Sequence, residues 1–85
     1  MSVLTHSERK AMRTYAENMT WFRAHYEGLR KEHTNQFVAI SNGHVIDSDY
    51  NPDRLIKRLR ENYGQEAITA FAVEFVAKDN LELLL

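Results

Sequence analysis

FVAISNGHVID, residues 37–47, places an Asn-Gly pair between two apolar runs that contain β-branched residues. A two-residue type I′ turn requires positive φ at both central positions, and Asn42 and Gly43 adopt that conformation with little strain. Alternating or continuous apolar residues on either side of such a pair are typical of paired strands. The sequence therefore predicts a β-hairpin with its turn at Asn42-Gly43.

Helical patterns lie on both sides of this hairpin. Before it, Thr5 and Glu8 have the spacing of a capping box, which marks a helix start. After it, Asn51 and Pro52 mark a second helix start, and Gly64 marks its end. An apolar stripe at alternating spacings of three and four follows the first cap. The stripe consists of Met12, Tyr15, Met19, Phe22, Tyr26 and Leu29.

The first helical region is long compared with the predicted strands. A single helix over residues 6–32 would measure about 40 Å, whereas strands of five or six residues measure about 20 Å. The helix must therefore overhang the sheet or break, and Asn18 and Thr20 are both good N-cap residues for a break. The sequence leaves open whether residues 6–32 form one helix or two. We expect residues 18–32 to pack on the sheet and residues 6–17 to project.

A third strand is predicted over residues 68–76, with Phe71, Val73 and Phe75 on one side. Residues 81–85, LELLL, fit either a short fourth strand or a helical tail. The resulting order is α-β-β-α-β, with an optional final strand.

These elements predict an α+β fold with a small, mostly antiparallel sheet of three or four strands and helices on one face. A right-handed crossover through the second helix gives the strand order 2-1-3. We expect residues 18–85 to form a single α+β domain and residues 1–17 to form an N-terminal helical arm or extension.

Composition excludes several function classes. The chain has 85 residues, a formal net charge of −1 and no cysteine. Disulfides, thiolate metal sites and cysteine nucleophiles are therefore absent, and the net charge provides no overall attraction to nucleic acid or anionic membranes. No run approaches the roughly 20 apolar residues of a membrane span, and no signal core is visible. We expect a cytoplasmic protein that does not contact a membrane.

Catalytic and metal-binding patterns are not found. Residues 47–51, DSDYN, resemble the opening of a calcium loop, but Pro52 and Arg58 occupy the positions of its essential glycine and glutamate. The four histidines are dispersed, and no nucleophile lies beside a candidate base. We expect no enzyme activity, no cofactor, and no catalytic, cofactor-binding or metal-binding residue.

The projecting stripe suggests a function. If residues 6–17 overhang the sheet, the apolar side of this helix has nothing of its own to pack against, and such surfaces usually meet a partner. Met12, Tyr15 and Met19 are therefore the candidate partner-binding residues. The leading hypothesis is a non-catalytic protein–protein interaction module, with a homodimer as one form.

The alternative is a nucleic-acid-binding regulator. Arg54, Lys57 and Arg58 share one face of the second predicted helix, and small α+β sheets can bind RNA. An antitoxin-like role belongs to the same class of RNA- or DNA-binding regulators, by fold analogy only.

Several motifs together resemble a known family. They are Trp21-Phe22 and His25-Tyr26 in the first helix, the hairpin from Phe37 to Asp49, and the closing run from Val73 to Val76. Over residues 18–85 the chain resembles short, chiefly archaeal proteins known only as carrying a domain of unknown function. The resemblance implies a helix, hairpin, helix, strand domain, and it supplies no site residues.

Overall fold

The computed structural model describes residues 3–78, and an antiparallel hairpin lies at the centre of the sequence as predicted. The turn residues have φ values of 51° at Asn42 and 74° at Gly43, which confirms the turn. In chain order the elements are α1 (His6–Ala24), α2 (Tyr26–Glu32), β1 (Gln36–Ser41), β2 (His44–Asp49), α3 (Pro52–Tyr63), α4 (Gln65–Ile68) and β3 (Ala72–Val76).

The α+β class and the strand order are confirmed. β1 pairs antiparallel with β2 on one side and with β3 on the other, so the sheet order is β2-β1-β3. The possible fourth strand over residues 81–85 lies outside the described residues.

Helices cover both faces of this sheet, so the expectation that they lie on one face is wrong. One buried cluster consists of Phe22, Leu29, Val38, Ile40, Ala72 and Val76, and the other consists of Ala39, Leu55 and Leu59. Because successive residues of a strand point to opposite faces, Ala39 faces away from Val38 and Ile40. α1 and α2 therefore cover one face and α3 the other. The continuous apolar run of β1 is typical of a strand buried on both sides.

The first helical region does form two helices, but the break lies at His25 and not near Asn18 or Thr20. Neither of the two expected cap residues caps a helix. The side chain of Asn18 is buried and donates from Nδ2 to the carbonyl of Ala70 at 2.8 Å. The Thr20 hydroxyl donates back to the Ala16 carbonyl one turn earlier, at 3.0 Å. α1 is therefore continuous across the expected boundary between an arm at residues 1–17 and the domain.

The predicted helix caps are confirmed. The Thr5 hydroxyl accepts from the Glu8 amide at 3.1 Å, and the Glu8 carboxylate accepts from the Thr5 amide at 3.4 Å. At the start of α3, the Asn51 side chain accepts from the amides of the two residues after Pro52, and Gly64 ends the helix with φ of 90°.

The third strand is shorter than predicted. Residues 65–68 form the short helix α4, and a turn follows in which the Phe71 amide donates to the Ile68 carbonyl at 3.2 Å. The Thr69 hydroxyl also donates to the Glu66 carbonyl at 2.8 Å. These local hydrogen bonds hold residues 68–71 out of the sheet, and β3 begins only at Ala72.

Candidate docking groove

An open, mainly apolar groove lies between the first three turns of α1 and the segment that contains α4. Its volume is about 730 Å³. We call it the α1–α4 groove. Its apolar lining comes from Leu4, Ala11, Met12, Tyr15, Ala67 and Ala70.

The α1 wall of this groove follows from the helical period. Ala11 and Tyr15 lie on the same face of α1 as the buried Asn18 and Phe22, since these positions are separated by steps of three or four. Leu4 lines the groove from just before the helix. The sheet ends near Asn18, so this face has a core to bury against only in its second half. The first half of α1 extends beyond the sheet and presents the same face to the groove.

The other wall is fixed to α1 by the Asn18 side chain. Its hydrogen bond to Ala70 joins the middle of α1 to the segment between α4 and β3. Ala70 itself lines the groove. Two glutamates, Glu8 and Glu66, also line it, so its polar groups include two carboxylates. The arrangement suits an apolar segment without acidic side chains on the buried side.

The structure separates the three predicted partner-binding residues. Met12 and Tyr15 line the groove, with 59% and 42% of their surfaces exposed. Met19 does not line it, and packs instead against the cluster of Phe22 and Leu29. Its assignment as a binding residue therefore has little support, because its side chain contributes to the core.

The α4 wall was not foreseen from the sequence. The predicted strand over residues 68–76 includes Ala70 and begins just after Ala67, so neither residue was expected in the wall of a groove. The run of helix-forming residues directly after Gly64, Gln65-Glu66-Ala67, is the signal that could have indicated a helical turn here.

The residues of the nucleic-acid alternative lie on α3, and two of the three bind carboxylates of β2. Arg58 donates from Nε and Nη2 to both carboxylate oxygens of Asp47, at 3.0 and 3.1 Å, and from Nη1 to Asp49 at 2.7 Å. Arg54 donates to the other oxygen of Asp49 at 3.0 Å. We call these four residues the Asp–Arg cluster. Lys57 is exposed and takes no part in it.

A β-bulge brings Asp47 to this cluster. Ala39 pairs with Asp47, whereas its neighbour Ile40 pairs with Val45, so Ile46 is the extra residue of β2. The bulge keeps both Asp47 and Ile46 on the side of the sheet that α3 covers. The contact between Asp47 and Arg58 was not predicted from the sequence, because it depends on this bulge.

The cluster keeps the carboxylate of Asp49 charged. The amide of Asn51 and the guanidinium groups of Arg58 and Arg54 lower the pKa of Asp49 well below its usual range. The two aspartates in turn raise the pKa of Arg58. Asp49 is therefore a weak base, and its arrangement is that of an ion pair between a strand and a helix.

The histidines are not gathered into a metal site within residues 3–78. No three His, Cys, Asp or Glu side chains of this part of the chain could hold a metal ion together. The His25 ring stacks on Trp21 with ring centres 4.2 Å apart. In the same residue range, no helix combines the length and the apolar content that crossing a membrane requires.

The fold and the groove define a small α+β protein whose first helix overhangs its sheet. The chain belongs to DUF5678, a family of unknown function whose model matches residues 29–79. This match confirms the resemblance to a domain of unknown function, over a shorter range than residues 18–85. It includes the α4 wall of the groove and leaves α1 outside. Comparison with curated proteins finds no match, and neither does comparison with solved structures.

Proposed function

We propose that this protein is a non-catalytic protein–protein interaction module of the cytoplasm, that its docking surface is the α1–α4 groove, and that its partner is a second copy of the chain. The observation that carries the proposal is the exposure of Met12 and Tyr15 in the overhanging half of α1, where the face of Tyr15 continues into the buried residues Asn18 and Phe22. Exposed apolar side chains grouped along one groove are a common feature of surfaces that bind a partner.

Self-association is the form of binding that the sequence itself supports. A mainly apolar groove with acidic groups at its edge needs an apolar segment as its occupant. The chain contains one in residues 81–85, where four of five residues are leucine. Each of two copies could therefore supply the apolar segment that fills the groove of the other, and no second kind of protein is needed.

The Asp–Arg cluster supports a non-catalytic role. A general acid or base works best with a pKa near the working pH. The pKa of Asp49 is shifted in the opposite direction, and its hydrogen-bonding capacity is used by two arginines and a backbone amide.

The same cluster gives the nucleic-acid alternative less support than the groove gives self-association. Phosphate binding by α3 would rely on Arg54, Lys57 and Arg58, and the two arginines already share two carboxylates. Lys57 alone provides few positive charges for binding the phosphates of a nucleic acid.

Sedimentation equilibrium of the full chain and of single variants tests the proposal. Met12→Glu and Tyr15→Glu each introduce a charge into the groove and should weaken self-association at least tenfold. Arg13→Gln is the matched control, because it makes the same one-unit change in net charge on an exposed position of α1 that does not line the groove. It should associate as the unaltered chain does.

Circular dichroism checks that each variant keeps its helices. A full chain that stays monomeric at high concentration contradicts the proposal. So does equal association of the Met12→Glu and Arg13→Gln variants.

A further inference from the structure

We propose that the α1–α4 groove receives residues 81–85 of a second copy, so that two chains exchange these leucine-rich segments. This inference rests on the proposed function, and it names the segment of the partner that enters the groove. Three features carry it: the place where the described chain ends, the length of the groove, and the alternation of residues 81–85.

The described chain ends far from its own groove. β3 begins near the groove, where Ala70 is bonded to Asn18. It runs back along α1 and α2 to Lys78, whose carbonyl accepts two hydrogen bonds from the Arg30 guanidinium, at 2.9 and 3.1 Å. The described chain therefore ends at the opposite end of the sheet from the groove.

This distance is too great for the segment to enter its own groove. Hydrogen bonds from the His25 amide to Trp21 and from the Leu29 amide to His25, both 3.0 Å, continue the helical path from α1 into α2. At about 1.5 Å per residue, the near end of the groove at Tyr15 then lies roughly 20 Å from Arg30, and its far end at Leu4 lies at least about 16 Å further. Seven extended residues after Lys78 span at most about 25 Å. Only the last one or two of these residues reach the near end, so residues 81–85 do not fill the groove of their own chain.

The length of the segment matches the groove. The groove runs from Leu4, just before α1, to Tyr15, a distance of at least about 16 Å at the helical rise. Five residues in extended conformation span about 17 Å. An extended segment of five residues is therefore about as long as the α1 wall of the groove.

The alternation of the segment matches the chemistry of the groove. In an extended chain Leu81, Leu83 and Leu85 point to one side, and Glu82 and Leu84 point to the other. The side with three leucines packs against the small side chains that line the groove, such as Ala67. Glu82 then faces water, away from the carboxylates that line the groove.

A pair of neighbouring leucines provides a matched test of this geometry. Leu83→Ser should weaken self-association of the full chain at least tenfold, because it removes an apolar side chain that packs against the groove. Leu84→Ser makes the same chemical change on the outward side and should weaken it less than threefold. Sedimentation equilibrium measures both, and equal effects of the two variants would overturn the inference.

Complementation between two defective chains provides an independent test. One chain lacks residues 81–85 and keeps an intact groove, and the other carries Met12→Glu and keeps an intact segment. Each alone should be monomeric, whereas a mixture should form a one-to-one heterodimer. This heterodimer has one docked segment in place of two, so it should bind more weakly than two unaltered chains.

The outcomes separate this inference from the proposed function. If the chain without residues 81–85 associates as tightly as the full chain, the segment is not the occupant, and docking through the groove still stands. Such a result fits pairing of α1 with α1, or a fourth strand formed on β3 within one chain. If both defective chains are monomeric and their mixture does not associate, the inference is wrong. If the full chain itself is monomeric, the inference and the proposed function both fail.

Discussion

Replacing Asn18 by alanine should destabilise the protein by about 2 kcal/mol. Asn18 is 3% exposed, and its Nδ2 group donates to the Ala70 carbonyl at 2.8 Å. Removing the donor leaves the carbonyl without this partner at a site that water reaches poorly, which typically costs about 1–3 kcal/mol. The truncation also removes part of a buried side chain, so we expect a value in the middle of that range or above it.

Thermal and urea unfolding followed by circular dichroism measure this change. For a chain of this size, about 2 kcal/mol corresponds to a fall in Tm of roughly 8–16 °C. Glu17→Ala is the control, since Glu17 is the exposed neighbour on α1 and surface changes usually stay within about 0.5 kcal/mol. Equal urea midpoints for the Asn18→Ala variant and the unaltered chain would refute the role of this hydrogen bond.

Asn18→Asp separates the hydrogen bond from simple packing. A neutral carboxyl can donate to the Ala70 carbonyl, whereas a carboxylate opposes it, so burial there raises the pKa of the introduced group. The stability of this variant relative to the unaltered chain should be highest below about pH 4 and should fall as pH rises through the raised pKa. A packing effect alone would give a difference that does not depend on pH.

Three further predictions concern the turn, the Asp–Arg cluster and metals. Gly43→Val should destabilise the fold by at least about 1 kcal/mol in urea unfolding, because a β-branched residue resists the φ of 74° there, and an unchanged midpoint would contradict the turn geometry. The lowered pKa of Asp49 contributes stability above the unfolded-state value of about 3.9, and this contribution is lost as pH falls through the lowered pKa. Asp49→Asn should therefore show a weaker loss of stability on acidification, and urea midpoints that decline in parallel with those of the unaltered chain would argue against the cluster. Chelator treatment should leave Tm unchanged, and a fall in Tm would reveal a metal site.

Features fixed by neighbouring residues were predictable from the sequence. The turn at Asn42-Gly43, the cap at Asn51 and the helix end at Gly64 depend on the backbone preferences of one or two residues. Half of the groove was also predictable, because the helical period alone places Met12 and Tyr15 on one projecting face. The missing half depends on where α4 lies in space.

Features fixed by distant residues were not predictable. Asn18 and Ala70 are 52 positions apart. The residues around Asn18 therefore do not indicate whether its side chain is a buried hydrogen-bond donor or a helix cap. The partner of Arg58 was not predictable for the same reason. From its neighbours Arg58 reads as an exposed cation, whereas the bulge in β2 brings Asp47 to 3.0 Å from its guanidinium group. The spacing did carry a signal in that case, because two aspartates on alternate strand residues precede two arginines one helical turn apart.

The position of β1 has a consequence for how the protein opens. This strand is hydrogen-bonded on both edges, and its residues Val38, Ala39 and Ile40 contribute to both buried clusters. Neither helical layer can detach without exposing the same strand, so local opening of one layer removes burial from the other. Amide hydrogens of β1 should therefore exchange with deuterium only through global unfolding, whereas those in the overhanging turns of α1 should exchange through local fraying. The slowest-exchanging amides of the whole chain should then belong to one six-residue strand.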